Sequence, residues 1–126
     1  MRQEGARHIL IPYWLPVLLY VCLIFGLSSQ PNLKPPLDFK YSDKVAHTIE
    51  YGILGLLLAR AVRATGKLEW PLTAALLALS MGMIVGVSDE MFQSLIPGRD
   101  SSAFDFFADA SGLALAQLIY LALTRD

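Results

Sequence analysis

Charge is scarce in this chain. Asp, Glu, Lys and Arg make up 17 % of its 126 residues, against roughly 25 % in an ordinary soluble domain. The signs nearly cancel, leaving a net charge of −1, which excludes the basic surface that nucleic-acid binding requires. There is one cysteine, Cys22, set in an apolar run. It can form no internal disulfide and reads as a small buried hydrophobe. None of the patterns HExxH, CxxC, GxSxG or the P-loop is present, so the metalloprotease, dithiol, serine-hydrolase and nucleotide sites they mark are not indicated. No repeat or low-complexity tract appears. The length suits a single compact unit, residues 1–126.

Apolar sequence fills the space that charge leaves. Hydrophobic residues make up 55 % of the chain and the mean hydropathy is +0.50. Ile9 to Leu27 carries no charge and is long enough for a hydrocarbon core of roughly 30 Å. Pro12 and Pro16 lie in its first half, where a kink is expected. Arg2, Arg7 and His8 ahead of it also fit a signal peptide with Gly26-Leu27-Ser28 as cleavage site, although the run is longer than a typical signal core. A proline-rich loop follows, with Pro31, Pro35 and Pro36. Ser42 is placed to cap a second helix from Asp43 to about Arg63, with Gly66 past its end. A third helix runs from Trp70 to about Leu95, with Pro71 in its first turn, and Pro97-Gly98 breaks it. The fourth opens at Ser102 and runs to about Leu123. The fold class is therefore all-α, an integral membrane four-helix bundle in up-down order.

Lysine and arginine counts orient the bundle. With the N-terminus inside, the inner side holds Arg2, Arg7, Arg60, Arg63, Lys67 and Arg125, and the outer side holds Lys34, Lys40, Lys44 and Arg99. The expectation is a multi-pass protein with both termini cytoplasmic.

The polar residues gather at one end of this arrangement, the outer one. Ser28-Ser29-Gln30-Pro31 closes the first helix, and Asp43, Lys44, His47, Glu50 and Tyr51 open the second. Asp89, Glu90 and Gln93 close the third, and Arg99, Asp100, Asp105 and Asp109 surround the start of the fourth. Helical spacing puts Asp43, His47, Glu50 and Leu54 on one face. Asp89 and Gln93 share a face with the glycines of GMIVG, residues 82–86, which favours close helix approach. Asp105, Asp109, Gly112 and Ala116 align likewise. Each piece also has a structural reading. Asp105 fits a capping box with Ser102, Asp43 complements a helix dipole, Asp100 is a solvated loop acid, and Lys44 is an interfacial charge off the shared face. Taken together, ionisable groups at membrane depth mark a functional site. Asp43, His47, Glu50, Asp89, Glu90 and Asp105 are the candidates for acid-base chemistry. Gln30, Lys44, Tyr51, Gln93 and Arg99 are the candidates for holding a substrate, Arg99 as a donor to phosphate or carboxylate. The same acids and histidine have the donor types for a divalent cation; whether the protein is an enzyme is left open by this pattern.

Several runs resemble the VanZ-like family of small bacterial membrane proteins. They are Ser28-Ser29-Gln30-Pro31, then Asp43-Lys44-x-x-His47-x-x-x-Tyr51-x-x-Leu54-Gly55, then Asp89-Glu90-x-x-Gln93, Pro97-Gly98-Arg99 and Asp105-x-x-Ala108-x-x-x-Gly112. The family pattern usually has Asn where this chain has Asp109, which adds a negative charge here. The family takes its name from a protein linked to resistance to teicoplanin, a lipid-tailed glycopeptide that binds cell-wall precursors. The resemblance implies a place in the bacterial inner membrane and a role at the cell envelope. With Arg99 at the polar end to hold an anion, the expected partners are membrane lipids, with a polyprenyl-phosphate or lipid-linked cell-wall precursor as the anionic ligand. Alternative readings are a non-catalytic lipid- or glycopeptide-binding protein and a small transporter, the latter disfavoured by the apolar lower half of the bundle.

Overall fold

The computed structural model describes residues 2–31, 38–66, 70–99 and 101–124. Lys34, Pro35, Pro36, Lys67, Asp100 and Arg125, which entered the sequence reading, lie outside them. The elements are α1 (Arg2–Ile9), a π-helical turn (Leu10–Trp14), α2 (Leu15–Ser28), α3 (Ser42–Thr65), α4 (Pro71–Ser94) and α5 (Ala103–Leu123). There is no strand among the described residues. α1, the π turn and α2 form one continuous span, so four helices are long and apolar enough to cross a membrane. At 1.5 Å per residue, α3 and α4 reach about 36 Å, enough for the hydrocarbon core and part of each interface.

The first helix begins earlier than the apolar run predicts, and its prolines are absorbed locally. Pro16 has no N–H to give the carbonyl four residues back. Arg60 Nη1 donates to that carbonyl, Pro12 O, at 2.8 Å while its guanidinium lies 4.5 Å from the centre of the Tyr13 ring. Nearby Trp14 Nε1 donates to Thr65 Oγ1 at 2.6 Å, and on the far side Arg63 sits 4.8 Å from the centre of the Tyr120 ring. This end of the bundle thus carries arginines over aromatics, an interfacial arrangement.

Two local expectations are corrected. Ser42 is the first residue of α3 and not its cap; Tyr41 precedes it in the left-handed region, with φ 68° and no capping side chain. Cys22 is exposed, because its position on α2 turns away from the buried Val17, Ile24 and Ser28. In lipid an exposed thiol on this span meets acyl chains, so its apolar character still fits.

The core is thin and built on close backbone contact. α3 and α5 form the most extensive helix pair. A Cβ at Gly112 would fall on the Thr48 carbonyl, and one at Gly55 would lie 2.6 Å from Ala116 Cβ. Tyr51, Leu54, Leu58, Ile24, Ala78 and Leu113 fill the interior. The outward faces are apolar, with Leu18, Leu19, Ile49, Ile53, Ile84 and Leu118 all exposed. That pattern, inverted relative to a soluble bundle, is what a lipid surround requires.

Candidate functional site

Measured along the helices at 1.5 Å per residue, His47 lies about 8 Å inside the start of α3, Asp89 about 8 Å before the end of α4, and Asp109 about 9 Å into α5. In the up-down order these three depths coincide, so the polar residues form one layer near one end of the bundle. They divide into two connected networks.

The first centres on Asp89, 1 % exposed. Tyr51 OH donates to its Oδ2 at 2.9 Å, Ser28 Oγ donates to its Oδ1, and Gln93 Nε2 donates to Oδ2 at 3.2 Å and to Ser28 Oγ at 3.0 Å. Three of the four spans meet at this carboxylate. Gln93 is one turn after Asp89 on α4, which is why the spacing in sequence brings the two together.

The second network joins α3 to α5. His47 Nδ1 is 2.8 Å from Asp109 Oδ1 and His47 Nε2 is 4.0 Å from Asp105 Oδ1. Lys44 Nζ reaches the same Asp105 oxygen at 2.5 Å and Asp43 Oδ2 at 2.8 Å. Gly112 makes this possible: with no side chain there, the first turns of α3 and α5 approach closely enough for Thr48 Oγ1 to donate to the Ala108 carbonyl at 3.3 Å.

The two networks meet at a group of acceptors. Glu90 Oε1, Gln93 Oε1 and Asp109 Oδ2 are buried and have no hydrogen-bond partner. Asp109 Oδ2 is turned toward α4, 3.7 Å from where a Cβ on Gly86 would stand. Glu90 is one turn beyond Gly86 on the same helix, and its other oxygen accepts from Ser101 Oγ at 3.3 Å.

His47, Asp89, Glu90, Gln93 and Asp105 thus come together with Tyr51 and Lys44. The capping box at Ser102 does not form, since Ser102 makes no side-chain cap bond and the Asp105 carboxylate is engaged by Lys44. Lys44, read from spacing as lying off the shared face, bridges into the site because its long stem carries the ammonium around the helix. Asp43 turns outward, its side chain 51 % exposed, and meets the site only through Lys44. Glu50 is half-buried, and it is its backbone carbonyl that accepts from Tyr20 OH, at 2.8 Å. Gln30 likewise contributes its carbonyl, which accepts from Arg99 Nη1 at 3.2 Å; Arg99 therefore ties the last loop to the end of the first span at the mouth of the site.

Comparison with known proteins adds one finding at this point. The VanZ/LLP1 family model matches residues 9–124. The chain belongs to the VanZ/LLP1 family. No curated protein and no solved structure matches it. The matched range takes in three whole spans, the first from its π turn onward, and every residue of both networks, and family membership with four spanning helices makes this a multi-pass membrane protein.

Two residues of these networks were absent from the sequence-based set of site residues. Ser28 was read as a helix end; its role as a donor to Asp89 follows from the packing of α2 against α4, which spacing within one helix does not reveal. Asp109 was aligned with Asp105 on the inner face of α5 but not singled out. The i, i+4 pairing of two acids beside a glycine was the signal for it.

Proposed function

We propose that this protein binds a lipid-linked phosphate of the bacterial envelope, a polyprenyl-phosphate or a lipid-linked cell-wall precursor. Binding takes place at the outward end of a bundle set N-in and C-in in the cytoplasmic membrane. The observation that carries the reading is the layer of buried acceptors without donors, Glu90 Oε1, Gln93 Oε1 and Asp109 Oδ2, lying beneath the cations Lys44 and Arg99. Unpaired buried acceptors are costly to retain, and a ligand rich in hydroxyl or amide donors, such as a sugar head group, satisfies them. Arg99, whose guanidinium has more donors than its bond to the Gln30 carbonyl uses, supplies the charge for phosphate, since Lys44 is engaged by Asp43 and Asp105. The exposed apolar faces of the spans suit the lipid tail. Holding or masking such a precursor is also the route by which a role in teicoplanin resistance would arise.

A second reading, catalytic turnover of the same ligand, is favoured by one feature, the His47–Asp109 pair. An imidazole oriented by a carboxylate is the usual arrangement of a general base, and it would serve hydrolysis or transfer at a phosphoryl or acyl group, with Asp89, Glu90, Asp105, Asp43 and Glu50 as the surrounding acids.

Purified protein in nanodiscs, assayed for binding of polyprenyl-phosphate and lipid-linked precursor, tests the proposal. Arg99→Ala, Glu90→Gln and His47→Ala should fold and insert but bind less. Equal binding by wild type and all three variants, or none by wild type, overturns it. Release of phosphate or of the head group decides between binding and turnover.

A further inference from the structure

The acceptor layer has a composition that the lipid reading alone does not use. His47, Glu90 and Asp109 each present one ligand atom, an imidazole nitrogen or a carboxylate oxygen, and the three atoms lie within 4.8 Å of one another. They come from three different helices, α3, α4 and α5, so the set is assembled by tertiary packing and not by local sequence. Asp109 is fully buried, at 0 % exposure, yet its Oδ2 has no partner and points across at α4. Glu90 Oε1 is a second buried oxygen without a donor beside it. Two unpaired carboxylate oxygens next to an imidazole, at membrane depth, are an arrangement that a bound cation would stabilise. Lys44 does not supply that charge, because it is engaged by Asp43 and Asp105.

We infer that His47, Glu90 and Asp109 form a site for a divalent transition-metal ion, zinc or manganese. One nitrogen and two carboxylate oxygens match such ions, whereas calcium and magnesium favour oxygen ligands only. Water or an incoming head group completes the coordination. Bound there, the ion turns an acid-rich layer into one that accepts a phosphate. That consequence rests on the lipid reading, but the ion site itself does not.

The test uses the full chain in detergent, stripped with EDTA and assayed with metal ions alone, without lipid. Zinc or manganese should bind at about one equivalent per chain, measured by elemental analysis after desalting, and should raise the melting temperature. Glu90→Gln and Asp109→Asn should each weaken binding at least about tenfold, since losing even an outer-shell partner of a metal ligand costs that much. Glu90→Gln keeps the oxygen facing Ser101 and lies outside the tight α3–α5 contact, so it reports on the ion even if Asp109→Asn folds poorly. The inference is overturned if wild type binds neither ion up to ~1 mM, a free energy of only about 4 kcal/mol. It is overturned equally if Glu90→Gln binds as tightly as wild type, or if calcium and magnesium bind as well as zinc and manganese. Lipid binding that persists when the metal test fails leaves the proposed function standing and removes only the ion.

Discussion

Lys44 Nζ stands 2.5 Å from Asp105 Oδ1, so the acid that the local pattern assigns to a helix cap is instead tied to a lysine on a different helix. Asp105 is 4 % exposed, and its negative charge is matched across the α3–α5 contact. Lys44→Ala should therefore cost about 2–3 kcal/mol, a little under the roughly 3–5 kcal/mol of a fully buried pair because Lys44 is partly exposed. Lys44→Ala with Asp105→Asn should recover most of that loss. Thermal unfolding of the single and double variants in detergent measures it; an additive double variant would show that the two residues are not coupled.

The Asp89 network gives a graded expectation. Tyr51→Phe removes one donor from a carboxylate that keeps two others, and should cost about 1 kcal/mol. Asp89→Leu strands Ser28, Tyr51 and Gln93 together, and should cost at least about 2 kcal/mol more than Tyr51→Phe. Denaturant or thermal unfolding of the two variants, side by side, decides whether the network is as connected as its distances imply.

Glycines on one helix pair should differ sharply. A Cβ at Gly112 would fall on the Thr48 carbonyl, whereas one at Gly52 would meet only the Gly112 carbonyl at 3.7 Å. Gly112→Ala should lower stability by about 2 kcal/mol or more by forcing the helices apart. Gly52→Ala should be neutral or stabilising by up to about 1 kcal/mol, the propensity difference between the two residues. Comparable melting temperatures for the two variants would contradict the close approach.

The orientation is open to cysteine labelling. In a Cys22→Ser background, Ser101→Cys should react with a membrane-impermeant maleimide from outside the cell, and Lys67→Cys only after the membrane is permeabilised. The reverse pattern would put the polar layer at the cytoplasmic face and would remove the extracytoplasmic lipid from the proposed function.

Much of this was legible before the structure. The long apolar stretches and their breakers, Pro71, Pro97-Gly98 and Gly66, mark the helices because lipid admits few other backbones. The inward faces of α4 and α5 follow from glycine and acid at helical spacing. What periodicity does not carry is the identity of partners on different helices. Ser28 with Asp89, Lys44 with Asp105 and His47 with Asp109 are pairings set by how the helices dock, and Lys44 in particular reaches around its helix with a flexible stem. Spacing also misplaced Asp43, since one face of a helix end includes residues that have already passed the edge of their neighbour.

The dependence of α3 on α5 bears on how the protein is made. His47 and Asp109 are 62 positions apart in the chain, and Lys44 and Asp105 are 61 apart, so the ribosome completes α3 well before the partners of its polar turns exist. Released alone into lipid, those turns would carry a penalty for each charge, smaller than the roughly 3 kcal/mol of the bilayer centre because they lie near the helix start. The insertion machinery must hold α3 at its lateral gate, or leave its first turns among the head groups, until α5 emerges. Biogenesis is thus cooperative over the length of the second half of the chain. A nascent chain truncated before Ser102 should leave α3 exposed to quality-control proteolysis, while one ending after α5 should not.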